Sequence, residues 1–179
     1  MSQKVLLNAK EVNIILHRLA CQLIENHNDF SETVLIGLQP RGKYLADRLA
    51  KILQDDYKIK NLKKGDLDIT FFRDDFRRGD KPLEANTTEI DFIVEDKNVV
   101  FIDDVLYTGR SIRAALTAIQ SFGRPNNIEL LTLIDRRFSR HLPIQPNYRG
   151  RQVDAINGEK VKVNWVENEG EDTVYLINK

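Results

Sequence analysis

Three short apolar runs, two of them followed by segments with helical spacing, constrain the fold of this chain more than any other feature. The runs are TVLIGL at residues 33–38, VVFI at residues 99–102 and IELLTLI at residues 128–134. After the first two runs, from about Lys43 and from Ser111, apolar residues recur at helical intervals. Strands that alternate with helices predict right-handed crossovers and a mainly parallel sheet covered on both faces, which is an α/β fold.

The two ends of the chain have other patterns. Asn8 and Glu11 have the spacing of a capping box at the start of a first helix. Residues 161–166 and 173–177 alternate around a polar turn that contains Gly170, which is typical of a β-hairpin. The length of 179 residues is normal for one core, and no linker or repeat interrupts it. We therefore expect one domain spanning residues 1–179.

Composition excludes several classes of protein. The 27 basic residues balance the 27 acidic ones, so net charge indicates no partner. A single cysteine, Cys21, excludes a disulfide framework and a four-cysteine zinc site. The first residues lack the long apolar core of a signal peptide, and no apolar run approaches membrane-spanning length. We expect a cytoplasmic protein without a membrane partner.

The stretch VVFIDDVLYTGRS, residues 99–111, carries the clearest chemistry. Asp103 and Asp104, called the acid pair below, follow an apolar strand, at the sheet edge where open parallel sheets bind ligands. The loop after them leads into a helix, whose first N–H groups favour an anion. The simple alternative is a strand end followed by a turn, but the ordered combination favours a site for a sugar phosphate. No nucleotide-binding glycine motif of the Walker or dinucleotide type occurs.

These thirteen residues resemble the phosphoribosyl-pyrophosphate (PRPP) motif of type I phosphoribosyltransferases. The segment DDVLYTGRSIRAAL resembles the corresponding sequence of one family in particular. This family comprises the bifunctional pyrimidine operon attenuators and uracil phosphoribosyltransferases of PyrR type. Further segments that resemble this family are LIGLQPRGKYLADRLA, LDITFFRDD, FGRPNNIELLTLIDRR and LPIQPNYRGR. The resemblance implies a type I phosphoribosyltransferase fold, with a mainly parallel sheet flanked by helices and a small hood that includes the C-terminal hairpin.

The resemblance also implies a reaction, in which uracil and PRPP give UMP and pyrophosphate, and it assigns residues to it. The acid pair would be catalytic and hold the ribose hydroxyls. The residues implied for the 5′-phosphate are Tyr107, Thr108, Gly109, Arg110 and Ser111. Those implied for pyrophosphate are Pro40, Arg41, Gly42, Arg77 and Arg78, and those for the base are Asp135, Arg136 and Val161. Mg²⁺ is expected to arrive with PRPP, because it keeps waters and phosphate oxygens as ligands instead of a full protein cage.

The family's second role is to bind messenger RNA leaders when UMP is bound, and it requires a basic surface. Residues 136–151, called the arginine segment below, hold five arginines and no acid. The RNA-binding residues expected from this pattern are Arg137, Arg140, His141, Arg149 and Arg151. The alternative interpretation is that Arg136 serves the active site and the other arginines are solvated. The segment also departs from the family, being one residue longer and carrying Gln145 where an arginine is usual; Pro40 likewise stands where the family usually has threonine.

Two alternative functions stay open at this point. The first alternative to a uracil phosphoribosyltransferase is a protein that is mainly an RNA-binding attenuator, whose site senses UMP. The second is a purine phosphoribosyltransferase acting on hypoxanthine or guanine, because the motif fixes PRPP and leaves the base undetermined. The family also suggests a homo-oligomer, a dimer or larger.

Overall fold

The computed structural model describes residues 3–74, 85–155 and 158–178, and these form eight strands and four helices. The strands are β1 (Gln3–Leu7), β2 (Thr33–Leu38), β3 (Lys63–Leu67), β4 (Asn98–Leu106), β5 (Asn127–Arg136), β6 (Tyr148–Val153), β7 (Lys160–Asn164) and β8 (Thr173–Ile177). The helices are α1 (Ala9–His27), α2 (Gly42–Asp55), α3 (Arg110–Ala118) and the single turn α4 (Val166–Glu169). Short 3₁₀ turns occur at Thr70–Phe72 and Ile119–Phe122.

Five strands form the central sheet, in the order β3-β2-β4-β5-β6, and all neighbours are parallel. The predicted α/β class is therefore confirmed. The alternation of DLDITFF, residues 66–72, predicts a strand there, but β3 lies earlier, at Lys63–Leu67, and a 3₁₀ turn follows it. The sequence also suggests a strand around residues 90–94, but these residues form none, and the preceding Glu89 makes an isolated bridge with Asp66.

Alternate residues of β4 face opposite layers of the core, as the geometry of a strand requires. Val100 and Ile102 join the cluster that α1 and α2 cover, and Val99 and Phe101 join the cluster beneath α3. Helices therefore cover both faces of the sheet. The carboxyl end of β4, at Leu106, leads directly into residues 107–111 of the predicted site.

The first helix begins as the sequence predicts. The backbone N–H of Asn8 donates to Glu11 Oε2 at 2.9 Å, and the backbone N–H of Glu11 donates to Asn8 Oδ1 at 3.0 Å. This capping box satisfies two N–H groups that a helix start would otherwise leave without partners.

A second, antiparallel sheet has the order β1-β8-β7 and forms the hood. The expected C-terminal hairpin is present as β7 and β8, which are joined through α4. Strand β1 was not predicted, and it pairs with β8 from Gln3 opposite Ile177 to Leu7 opposite Val174. The N-terminal residues thus complete a sheet whose other strands come from the C-terminal part of the chain.

Glycine at position 42 lets α2 start directly against the end of β4. A Cβ atom on Gly42 would lie 2.3 Å from the carbonyl oxygen of Ile102, a distance that no side chain can occupy. The close approach carries the preceding residue, Arg41, to the acid pair. In the described part of the chain, no helix is long and apolar enough to span a membrane.

Candidate active site

The acid pair lies within β4, which continues to Leu106, so the prediction that the strand ends before the acids was wrong. Because successive strand residues point to opposite faces, the two carboxylates have different surroundings. Asp103 lines a cavity of about 350 Å³, and its Oδ1 accepts a hydrogen bond from the backbone N–H of Asp104 at 2.9 Å. Asp104 is 7% exposed and faces Arg41 instead.

Burial raises the pKa of both carboxyl groups. For Asp103, burial and then the charge of Asp104 raise the pKa well above its usual range, against the opposing charges of Arg73 and Arg41. For Asp104, burial raises the pKa and the neighbouring Arg41 guanidinium holds it down. The ionised form of the acid pair is thus unfavourable in the protein alone. A ligand that brings hydroxyl groups or cations would stabilise it.

The phosphate loop, residues 107–111, lines the same cavity as Asp103. Gly109 has a φ of 89°, a left-handed conformation that glycine adopts without strain, and it directly precedes α3. The backbone N–H of Arg110 lies 3.4 Å from Thr108 Oγ1, so the start of α3 folds back on the loop. The predicted acid and the predicted anion cradle therefore share one cavity.

The predicted pyrophosphate loop, residues 40–42, follows a cis peptide bond between Gln39 and Pro40. Arg41 turns its guanidinium toward the acid pair and the hood. Its Nε donates to Asp104 Oδ2 at 3.0 Å and its Nη1 to Glu169 Oε1 at 3.1 Å, and its Nη2 donates to the carbonyl oxygen of Val163. Glu169 is also held by the backbone N–H of Trp165 at 3.0 Å. The sequence offered no signal for this contact of Glu169, which lies 128 residues after Arg41.

Arg136, at the end of β5, lies over the ring of Tyr107, with 4.0 Å from its guanidinium carbon to the ring centroid. Its Nη2 donates to the carbonyl oxygen of Glu159 at 3.0 Å, while its buried Nε has no hydrogen-bond partner among the described residues. Burial lowers the pKa of Arg136. Val161 lies in β7, two residues before the carbonyl that Arg41 contacts. Arg136 thus contacts the phosphate loop through Tyr107, whereas Val161 is buried in the core of the hood side.

Asp135 is 3% exposed, and its carboxylate is occupied by arginines. Arg140 Nη2 pairs with Asp135 Oδ1, and Arg149 Nη1 lies 3.6 Å from Oδ2. Arg140 also donates through Nη1 to the carbonyl oxygen of Tyr107, and the backbone N–H of His141 donates to the carbonyl oxygen of Thr108 at 3.0 Å. The arginine segment is therefore fastened to the phosphate loop.

The remaining arginines of the predicted RNA face also have partners. Arg137 forms a two-bond ion pair with Asp154, and Arg151 Nη1 donates to the carbonyl oxygen of Leu6 at 2.6 Å. Among the ion-paired arginines of the arginine segment, Arg149 has the most exposed side chain, at 52%. A cavity of about 700 Å³ lies in this region, and Arg137, Arg140 and Arg149 are among its lining residues.

Two neighbouring residues, Arg73 and Asp74, also lie at the site, although the sequence analysis did not assign them to it. Arg73 lines the cavity of Asp103, and Asp74 pairs with Arg110 and Arg113. Arg77 and Arg78, predicted to contact pyrophosphate, lie outside the described residues. Within the described part, no group of three or more His, Cys, Asp or Glu side chains is placed to hold a metal ion.

Comparison with known proteins agrees with this geometry. Residues 2–168 match the family model described as the phosphoribosyl transferase domain. The chain is 42% identical over 171 residues to the "Bifunctional protein PyrR" of Desulfosudis oleivorans, which covers 95% of this chain and 93% of the relative. It is 44% identical over 172 residues to the protein of the same name from Gloeothece citriformis, which covers 96% of each chain.

Solved structures show the same fold at low sequence identity. The hypoxanthine phosphoribosyltransferase of Trypanosoma cruzi has a TM-score of 0.73 at 14% identity, covering 98% of this chain and 96% of that one. A hypoxanthine phosphoribosyltransferase from Staphylococcus aureus has a TM-score of 0.69 at 21% identity, covering 98% of this chain and 92% of that one. At these identities the likeness concerns the fold alone.

Proposed function

We propose that this chain, which belongs to the phosphoribosyltransferase family and to its PyrR group, transfers the phosphoribosyl group of PRPP to uracil, giving UMP and pyrophosphate. One observation carries the proposal: Asp103 and the phosphate loop line a single cavity. A ribose phosphate would place its hydroxyls at the acid and its 5′-phosphate at the N–H groups and hydroxyls of the loop and at the start of α3.

The chemistry explains why the acid pair is buried beside an arginine. As the bond from the ribose to pyrophosphate breaks, the ring becomes cationic and negative charge builds on the leaving group. A carboxylate in a poorly hydrated position stabilises that cation more strongly than it would in water. We assign the ribose hydroxyls to Asp103 and the stabilisation of the cationic ring to Asp104.

Arg41 is the residue that we assign to the leaving pyrophosphate, together with the backbone of Pro40 and Gly42. In the structure, the guanidinium of Arg41 donates hydrogen bonds to the carboxylates of Asp104 and Glu169 and to the carbonyl oxygen of Val163. Pyrophosphate is more highly charged than a single carboxylate. It would therefore accept the hydrogen bond that Arg41 Nη1 now donates to Glu169. Arg77 and Arg78 remain predicted pyrophosphate contacts.

For the base we assign Arg136, stacked on Tyr107, and the backbone of Val161. The buried Nε of Arg136 is a donor without a partner among the described residues, and an exocyclic oxygen of uracil would supply an acceptor. Asp135 would act through Arg140, since its carboxylate is already paired.

The acid pair also fits Mg²⁺, which prefers carboxylate and phosphate oxygens. Asp103 and Asp104 would hold it through water or directly while the phosphates of PRPP supply the other ligands. The bound ion would neutralise charge on the pyrophosphate.

A steady-state assay tests the reaction: labelled uracil and hypoxanthine are each supplied with PRPP and Mg²⁺, and kcat/KM is measured for both bases. We expect turnover with uracil and little with hypoxanthine. Strong turnover with hypoxanthine would instead support the purine alternative.

The second proposed function is binding of a messenger RNA leader in response to UMP. Relatives named bifunctional support it, and so does the exposed Arg149 beside a wide basic cavity. Fluorescence anisotropy with a pyrimidine-operon leader hairpin and a scrambled hairpin, with and without UMP, tests it. Selective binding that UMP strengthens would support the regulatory role; weak, salt-sensitive binding equal for both hairpins would contradict it.

We further propose that residues 1–179 act as one domain, because Arg41 joins the start of α2 to the hood. A homo-oligomer, a dimer or larger, and a cytoplasmic location remain predictions. Light scattering on the purified protein measures the mass in solution.

A further inference from the structure

Arg73 is among the residues that line the cavity of Asp103, and it precedes Arg77 and Arg78, the predicted pyrophosphate contacts. The other lining residues come from the end of β4, the phosphate loop and the first turn of α3. None of Pro40, Arg41 and Gly42 is among the residues that line it. Arg73 therefore faces the part of the site assigned to ribose and its 5′-phosphate.

The chain on either side of Arg73 is fastened, so its place at the cavity is defined. Before it, Asp68 Oδ1 accepts hydrogen bonds from the backbone N–H of Thr70 at 2.9 Å and from its hydroxyl at 2.6 Å. After it, Asp74 accepts from Arg110 Nε at 2.8 Å and pairs with Arg113 through its other oxygen. Asp74 thus ties this segment to the first turn of α3.

Two of the residues that line the cavity, Arg73 and Arg110, are arginines. Arg110 lines the cavity, but its Nε and Nη2 donate to Asp74. The side chain of Arg73 is exposed, and its charge is one of the influences that lower the pKa of Asp103. A phosphate with two negative charges binds more tightly when a cation adds to the neutral N–H donors, and the guanidinium of a lining arginine would supply both charge and donors.

We propose that Arg73 is a further PRPP-binding residue, contacting the ribose 5-phosphate half of the substrate, and that Asp74 positions it through Arg110 and Arg113. The inference rests on the proposed function and adds to it a residue from outside the PRPP motif.

Calorimetric titration of the full chain with two probes, ribose 5-phosphate and inorganic pyrophosphate, separates the two halves of the substrate. We expect Arg73→Gln to weaken ribose 5-phosphate binding about tenfold or more, the loss typical of one charge-assisted hydrogen bond. Pyrophosphate binding should stay within about twofold, and Arg73→Lys should restore part of the loss. In turnover, Arg73→Gln should raise the KM for PRPP more than it lowers kcat.

Arg124→Gln is the matched control, because Arg124 is an exposed arginine that is not among the residues lining this cavity and is not among the ion-pair partners of Asp74. It removes the same charge outside the site and should leave ribose 5-phosphate binding within about twofold. Asp74→Asn should weaken ribose 5-phosphate less than Arg73→Gln does, as expected of a positioning residue. Circular dichroism of each variant verifies the fold.

The outcomes are distinct. Unchanged ribose 5-phosphate affinity in Arg73→Gln, or a loss confined to pyrophosphate, would overturn the inference while leaving the proposed function intact. A wild-type protein that binds neither probe and forms no UMP would overturn the proposed function and the inference with it.

Discussion

The end of β4 and the arginine segment are both dense in charge, yet the fold treats the two regions differently. At the end of β4, Asp103 faces a cavity and Asp104 meets one arginine from a neighbouring loop. In the arginine segment, acceptors from elsewhere in the chain occupy most of the guanidinium groups, among them Asp154 and the carbonyl oxygen of Leu6. Two regions that are equally crowded with charge in the sequence thus differ in the fold: one places a carboxylate at a cavity, and the other pairs most of its arginines within the protein.

The largest expected effect follows from removing the charge of Asp104. Asp104→Asn should lower kcat for UMP formation about a hundredfold or more, because the charge that we assign to the cationic ring is lost together with the ion pair that holds Arg41. The melting temperature should change little, since asparagine keeps the shape. Asp154→Asn is the control from the other region, where the carboxylate only pairs with Arg137, and it should keep nearly full turnover. Equal losses in both variants would contradict the contrast between the regions.

Arginine removal gives the next effect. Arg41→Ala should raise the KM for PRPP about tenfold or more, since a charged donor to the leaving group is lost. Arg137→Ala, in the arginine segment, should leave that KM unchanged because its partner Asp154 is exposed at the surface. Initial rates at varied PRPP concentration measure both. An unaltered PRPP dependence in Arg41→Ala would remove the pyrophosphate assignment.

The contrast within the arginine segment concerns RNA. Arg149→Ala should weaken binding to the leader hairpin by about three- to tenfold and reduce the slope of log affinity against log salt by about one, as for the loss of one phosphate contact. Arg137→Ala should have a smaller effect, because its charge is already neutralised by Asp154. Anisotropy titrations at several salt concentrations measure both slopes. A larger effect for Arg137→Ala would reverse the ranking.

The smallest expected effect is a gain of stability. The pKa of Asp103 is raised well above its usual range by burial and by Asp104, so the folded state binds this proton more tightly than the unfolded state does. The free energy of unfolding that this tighter proton binding contributes is therefore lost as the pH rises from about 4, the usual pKa of an aspartate, through the raised pKa of Asp103. At pH 8, Asp103→Asn should raise the melting temperature by about 2–4 °C while lowering activity, and at pH 4 the gain should vanish. A lower melting temperature at pH 8 would contradict this account.

How much of the molecule the sequence predicts depends on how local each feature is. The acid pair, the phosphate loop and the start of α3 are contiguous, so a thirteen-residue pattern indicates the site. Strand β3 escaped accurate prediction because Lys63, Lys64 and Asp66 interrupt its apolar pattern. The fold compensates by pairing the buried Asp66 with Lys43 and Lys64.

Features built from distant segments could not be predicted. The pairing of β1 with β8, the contact of Glu169 with Arg41 and the place of Arg73 at the cavity all join residues that no sequence interval relates. The same holds for the arginine segment, whose partners Leu6 and Asp154 lie outside it. A site built from contiguous residues can thus be predicted from the sequence. Which charged side chains are neutralised depends on tertiary contacts, which the sequence does not show.

The three contacts of Arg41 have a consequence for how the protein assembles. They span 63, 122 and 128 residues of chain, so each closes a long loop. Contacts of such high sequence separation slow folding, because the entropy of loop closure is lost before the contact repays it. The hood and the start of α2 should then form one cooperative unit, whose amides exchange with solvent through the same opening. The arginine that completes the site would thereby acquire its working geometry late in folding.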